Sequence, residues 1–241
     1  MFARIYEHIH SHSLITQKQS GYRPGHSTEL QLAYLSDRLY RAMDSGDDYT
    51  VIYSDISRYF EKIWHEGLLA KCDTEFGIRG VHLNWVNSYL SERKQAVQVG
   101  QSTSTQRGLS AGVPQGSVLG PLLAIMYLHG LSNITDNETL FFADDSSLHA
   151  IHTANNVHEV ERSLQLDLDR IRSYGNDWAI TFNATKTTQQ TFANKQTIIP
   201  TVTVGDLLRP LVVAATFITA EESEMNFKMY LKLVQAKKRG R

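Results

Sequence analysis

The stretch "TLFFADDSSLHAI", residues 139–151, sets two adjacent acids, Asp144 and Asp145, between apolar runs. "TLFFA" and "SSLHAI" read as two strands rich in β-formers, with the acids in the turn that joins them. Neighbouring carboxylates repel unless something positive lies between them and a third acid. The natural third acid is Asp55, which ends the apolar run "YTVIYSD" (49–55). Three acids at strand ends are a donor set that a pair of magnesium ions can use to handle a phosphate. Context matters more than the dipeptide. Asp47-Asp48 follows Gly46 in a polar stretch and reads as a solvated turn.

Working outward, a helix opens at Thr28, with Gln31 placed as a capping-box partner. Leu32, Leu35, Leu39 and Met43 give that helix one apolar face, which ends before Gly46. "HEGLLAKCDTEF" (65–76) and "VHLNWVNSYLS" (81–91) read as two more helices. "KQAVQVG" (94–100) and "TQRGLSAG" (105–112) read as a two-stranded ribbon across the turn at Gly100–Ser102. An apolar helix is expected over 117–131 and a long amphipathic one over 155–174, where Val157, Val160, Leu164, Leu168 and Ile171 keep helical spacing. "WAITFN" (178–183), "TTQQTF" (187–192) and "LVVAATFI" (211–218) are the remaining candidate strands. Strands and helices in this order describe an α+β chain, with an antiparallel sheet covered by helices on one face.

The bulk numbers narrow the function. The 241 residues are 41% hydrophobic and 20% charged, which suits a globular chain with a substantial core. The 24 basic and 25 acidic residues leave a net charge of −1, without the basic excess of a free-standing nucleic-acid binder. Basic residues do gather in "KMYLKLVQAKKRGR" (228–241). No apolar run reaches the ~18 residues of a spanning helix, and no signal-peptide pattern opens the chain. No membrane partner is expected, and the location is intracellular, in nucleus or cytoplasm, not secreted. The single cysteine, Cys72, excludes an internal disulfide and a cysteine-rich zinc site. His8, His10 and His12 alternate without a cysteine or acid cluster and read as surface residues.

Four segments then occur in series: "SDISRYFEKIWH" (54–65), "GVPQGSVLGP" (112–121), "FFADDSSL" (141–148) and "WAITFNATKT" (178–187). With "QSGYRPGHST" (19–28) ahead of them, the series closely resembles the palm and fingers of reverse transcriptases from non-LTR (LINE-type) retrotransposons. The resemblance implies partial fingers over 1–48, a polymerase palm over 49–193, and a degenerate connection with a basic tail over 194–241. It implies an RNA-directed DNA polymerase that joins a deoxynucleoside triphosphate to a DNA primer 3′-hydroxyl on an RNA template. Protein partners are left open.

By the same resemblance, Asp55, Asp144 and Asp145 hold two Mg²⁺ (or Mn²⁺) ions. Phe60 lies under the incoming sugar and excludes a ribose 2′-hydroxyl by bulk. Gln115 and Gly116 line the nucleotide and template pocket. Lys186 stands by the leaving pyrophosphate, where a cation can neutralise charge or donate a proton. Arg23 reaches the triphosphate with a planar fork suited to phosphate oxygens. Each residue also has an ordinary structural role open to it: Asp55 as a helix cap, Phe60 as core, Lys186 and Arg23 as surface cations. Ser117 reads as a cap for the helix that follows.

Some positions depart from the family pattern. Glu61 stands where a second Asp is usual, and Tyr59 replaces a small residue beside the sugar gate, which it would crowd. His129 and Gly130 replace an Asn-Asp pair, and Phe142 replaces a Tyr. The segment 211–227 lacks the family's leucine-glycine primer grip. A first fingers segment and a thumb are not recognised. A catalytically inactive remnant that binds nucleic acid or protein is therefore the alternative.

Overall fold

A five-stranded sheet organises the chain, in the order β6-β7-β1-β8-β9. The computed structural model describes residues 1–193 and 198–204, together with the backbone of 212–217. β1 (Asp48–Ser54) lies at the centre, antiparallel to β7 (Asp145–His152) on one side and β8 (Thr188–Ala193) on the other. β6 (Glu138–Phe142) pairs antiparallel with β7, and β9 (Val212–Phe217) adds to β8 in parallel. The antiparallel core is as expected from sequence; the parallel edge strand is not.

Period-two alternation assigns the two faces of β1. Ile52 faces Leu148, Ala150, Leu164 and Leu168, and so lies under α7 (Val157–Asp177). Tyr49 and Val51 face the other way, against Ala42, Leu35 and Leu39 of α2 (Thr28–Asp44). Helices therefore cover both faces, not one. The reason is in β1 itself, whose Tyr49, Val51 and Ile52 are all fully buried. Burying each of these on either face stabilises by about 1.5–3 kcal/mol.

The main core sits beside the sheet. α6 (Leu119–Tyr127) is buried along its length and packs with α1 (Phe2–Ser11), α4 (His65–Thr74) and α5 (Gly80–Leu90) through Ile5, Leu68, Cys72, Val86, Leu123 and Met126. α6 is shorter than the sequence suggests. Gly130 adopts φ 90°, a conformation that favours glycine, and turns the chain out of the helix. The His129 carbonyl that this turn exposes accepts from Lys71 Nζ and from Tyr174 Oη, the latter at 2.6 Å. Lys71 is fully buried, with its ammonium 4.2 Å from the Trp178 ring. Burial lowers its pKa to about 8, although Glu75 at 3.7 Å pulls the other way.

Two other local readings change. Ser27, not Thr28, caps α2, and its Oγ accepts from Leu30 N at 3.2 Å. That places Leu30 at the position a capping box would need, so Gln31 has no such role. Residues 178–183 do not form a strand. α7 runs to Asp177, Ala179 turns with φ 51°, and a single antiparallel bridge, Ile56 to Phe182, remains. The ribbon holds as β2 (Lys94–Gln95) with β5 (Arg107–Gly108) and, further out, β3 (Gln98–Val99) with β4 (Ser102–Thr103). The basic tail lies outside the described residues, and so do most of those in the missing primer grip.

Candidate active site

β1 and β7 run antiparallel down to the pair Ser54 and Ser146, whose hydroxyls are 2.6 Å apart. Asp55 and Asp145 are the next residues beyond that pair. β6 and β7 pair Phe142 with Asp145, so the joining turn is Ala143 and Asp144 alone. Asp55 and Asp144 are buried, 5% and 8% exposed, whereas Asp145 is exposed. The three acids thus lie at one end of two adjacent strands.

The turn is held by the segment "KQSG" (18–21). Phe141 N donates to Lys18 O at 2.8 Å, and Ser20 N donates to Phe141 O at 2.9 Å, which extends the sheet past β6. Buried between them, Gln19 makes three side-chain bonds. Its Oε1 accepts from Ala143 N at 2.9 Å and from Gly21 N at 2.7 Å, and its Nε2 donates to Ala143 O at 3.0 Å. Ala143 has φ 59°, a strained state for a residue with a Cβ. Gly21 is required by closeness, because a Cβ there would lie 2.1 Å from Ala143 N. In sequence, Gln19 and Gly21 lie within "QSGYRPGHST", and no local pattern assigns them this role.

Lys186 and Asp55 meet. The chain after α7 returns along the residues following β1, with Ser57 N donating to Thr181 O and Asn183 N to Asp55 O, at 2.9 and 2.8 Å. The turn at Asn183 then carries Lys186 Nζ to 3.3 Å from Asp55 Oδ2. Lys186 thus sets a positive charge beside Asp55.

Phe60 is half-buried in the short helix α3 (Tyr59–Lys62), edge-on to Tyr22 at 6.1 Å. Its neighbour Tyr59 turns into the core, where its hydroxyl donates to Ala124 O at 2.5 Å. Tyr59 therefore does not crowd a pocket at Phe60, contrary to expectation. The loop of Gln115 and Gly116 is anchored here too. Val113 N donates to Phe60 O at 2.8 Å, and a Cβ on Gly112 would lie 2.7 Å from Glu61 O. Gln115 and Gly116 are themselves exposed. Ser117 acts as expected, its Oγ accepting from Gly120 N at 3.0 Å.

Arg23 is turned back on its own loop. Its Nη1 donates to Thr16 O at 2.8 Å and to Gln19 O at 3.0 Å, and burial lowers its pKa. Among the described residues, no hydrogen bond of Arg23 Nη2 or Nε is seen.

As the side chains stand, no three His, Cys, Asp or Glu residues among those described converge closely enough to hold a metal ion. Two features still suit a hard divalent cation: the oxygen donors of Asp55, Asp144 and Asp145, and their common position at the strand ends. Among the described residues no helix is long and apolar enough to cross a membrane.

A sheet of this order, with acids at one end of the adjacent strands β1 and β7, has the architecture of a nucleic-acid polymerase palm. The fold is similar to that of Candida tropicalis telomerase in complex with a TWJ fragment of telomeric RNA (TM-score 0.55, 10% identity, 83% of this chain and 34% of that one). It is also similar to apo telomerase from the same organism, truncated from its C-terminal domain (TM-score 0.54, 14% identity, 81% and 41%). Residues 1–227 match the model of the reverse transcriptase (RNA-dependent DNA polymerase) family, and the chain belongs to that family. Its relatives come from non-LTR transposons. In Drosophila melanogaster it is 31% identical over 190 residues to a probable RNA-directed DNA polymerase from transposon BS (76% of this chain, 20% of the relative). It is 31% identical over 204 residues to the RNA-directed DNA polymerase from mobile element jockey (81% and 22%). The chain thus spans about a fifth of the curated relatives it matches.

Proposed function

We propose that this chain is the catalytic palm, with part of the fingers, of an RNA-directed DNA polymerase that extends a DNA primer on an RNA template. The observation that carries the reading is the register of β1 and β7, which brings Asp55 to the strand end where Asp144 and Asp145 lie. In the reaction the primer 3′-oxygen attacks the α-phosphorus of a deoxynucleoside triphosphate in line, and pyrophosphate leaves. When bound at the three acids, two Mg²⁺ (or Mn²⁺) ions supply a lowered pKa for that hydroxyl and neutralise phosphate charge.

The chain's own groups do the rest. Lys186, ion-paired with Asp55, would neutralise negative charge on the departing phosphates. The guanidinium of Arg23 takes phosphate oxygens. The Phe60 ring bounds the sugar, and the backbone at Gly116 lets the base pair approach. Residues 1–48 serve as partial fingers and 49–193 as palm.

Primer extension with Mg²⁺ or Mn²⁺ on an RNA template tests the reading. Wild type should extend and Asp144→Asn should not, with unchanged folding by circular dichroism. A folded wild-type chain that adds no nucleotide under either metal leaves a non-catalytic palm. Among the described residues the carboxylates do not close into one cluster, which favours that second reading.

A further inference from the structure

The outward side of α5 carries a ladder that the site above does not use. Trp85 and Tyr89 stack at 5.6 Å with their planes 9° apart, and the Arg93 guanidinium lies 4.6 Å over the Tyr89 ring. Tyr89 is held on both sides. Trp85 stacks on Tyr89 yet stays 40% exposed, and Val81, one turn earlier, is 80% exposed. A lone exposed tryptophan is common on helices. A stacked row ending in an exposed indole is the arrangement on which unpaired bases pile.

The ladder is tied to the candidate site. The Tyr89 hydroxyl donates to Ser117 Oγ at 2.8 Å, and Ser117 closes the loop of Gln115 and Gly116. Leu109 N donates to Arg93 O at 2.8 Å, which fixes the base of the ribbon beside the same row. Between residues 91 and 108 the charges are Arg93, Lys94 and Arg107 against Glu92 alone. That local excess stands out in a chain of net charge −1. Lys94 and Arg107 are exposed, in strands that pair with each other.

We propose that Trp85, Tyr89 and Arg93, with Lys94 and Arg107, form a platform for single-stranded RNA. Bases stack on Trp85, the phosphates run along the ribbon cations, and the strand leads to the loop of Gln115 and Gly116. The proposal rests on the polymerase reading for the direction of the strand, but binding itself needs no catalysis.

The test is fluorescence anisotropy of the full chain with a labelled single-stranded RNA of about 12 nucleotides, within the site sizes such platforms cover. Trp85→Ala should weaken binding on the order of 10-fold, and Trp85→Phe should recover most of it. Lys94→Gln should weaken binding more modestly and lower the salt dependence by about one released ion. Duplex RNA, whose ring faces are hidden, should bind more weakly than the single strand. Several outcomes overturn the platform: equal affinity of Trp85→Ala and wild type, no RNA binding by wild type, or a preference for the duplex. So does a Trp85→Ala chain that changes only its sedimentation, which would make the ladder a contact between copies. If Trp85→Ala does not fold, Trp85→Phe and Lys94→Gln decide. Primer extension, run in parallel, separates the two readings. Weakened RNA binding in a chain whose wild type never extends keeps the platform and loses the polymerase.

Discussion

The chain carries two Asp-Asp pairs, and they lie at opposite ends of the same two strands. At one end Asp48 pairs in register with His152, and Asp48 Oδ2 is 4.0 Å from His152 Nδ1. That end follows the ordinary close of α2, with Gly46 at φ 81° and open space where a Cβ would be. Asp47 and Asp48 are half-buried there, not a fully solvated turn. At the other end a separate segment, residues 18–21, closes on the turn of Ala143 and Asp144 and spends a buried glutamine on its backbone. The difference is not in the acids. It lies in whether a distant part of the chain holds the turn in one conformation, and a turn held against strain is what presents acids in a fixed direction.

The largest break in this contrast should appear in catalysis. Asp145→Asn or Asp55→Asn should lower primer extension by on the order of 10³-fold, the scale of losing one transition-state charge partner. Asp47→Asn should leave extension unchanged in the same assay.

Stability should separate the ends next. Gln19→Ala strips partners from Gly21 N, Ala143 N and Ala143 O, and should cost about 3 kcal/mol in urea unfolding. Gly46→Ala meets no atom and should cost only about 1–2 kcal/mol for its positive φ. Equal losses would mean that the two turns are held alike.

A pH scan sharpens the comparison on β7. His149 is buried between the Tyr49 hydroxyl at 3.0 Å and Ser147 Oγ at 2.8 Å, and burial lowers its pKa to about 3. Between pH 6.5 and about 3 the unfolded chain binds a proton there that the folded chain does not. Stability from this group is complete above pH 6.5 and falls as pH drops. By pH 5 the loss should be about 2 kcal/mol, and His149→Gln should flatten that part of the melting curve.

The smallest effect belongs to the other end. Burial lowers the His152 pKa as well, with Asp48 and Asp47 pulling the other way. Asp48→Asn should then cost less than about 1 kcal/mol, read by the same urea unfolding.

Much of the fold was legible because it is written in local pattern. Apolar runs rich in β-formers marked β1, β6 and β7, and helical spacing marked α2 and α7. The reading failed where a distant group decided the outcome. The sequence expected α6 to run to Leu131, but the partners of the His129 carbonyl come from α4 and α7. Residues 178–183 had strand composition, yet α7 continued to Asp177, just ahead of them, and Ala179 turns the chain with φ 51°. Helices on both faces were missed because Tyr49, Val51 and Ile52 read as one apolar run whether one face or two is covered.

For the candidate site, residue identity and order along the chain were enough to single out Asp55, Asp144, Asp145 and Lys186 and to link the chain to its family. Charge and spacing are properties of the chain alone. Tertiary structure decided which groups touch. It set Lys186 on Asp55, turned Tyr59 into the core and drew Gln19 across 124 residues onto the backbone of the acid turn. Hydrogen bonds and close packing act over a few ångströms in space, and no pattern of neighbours in sequence encodes which distant segment will arrive there.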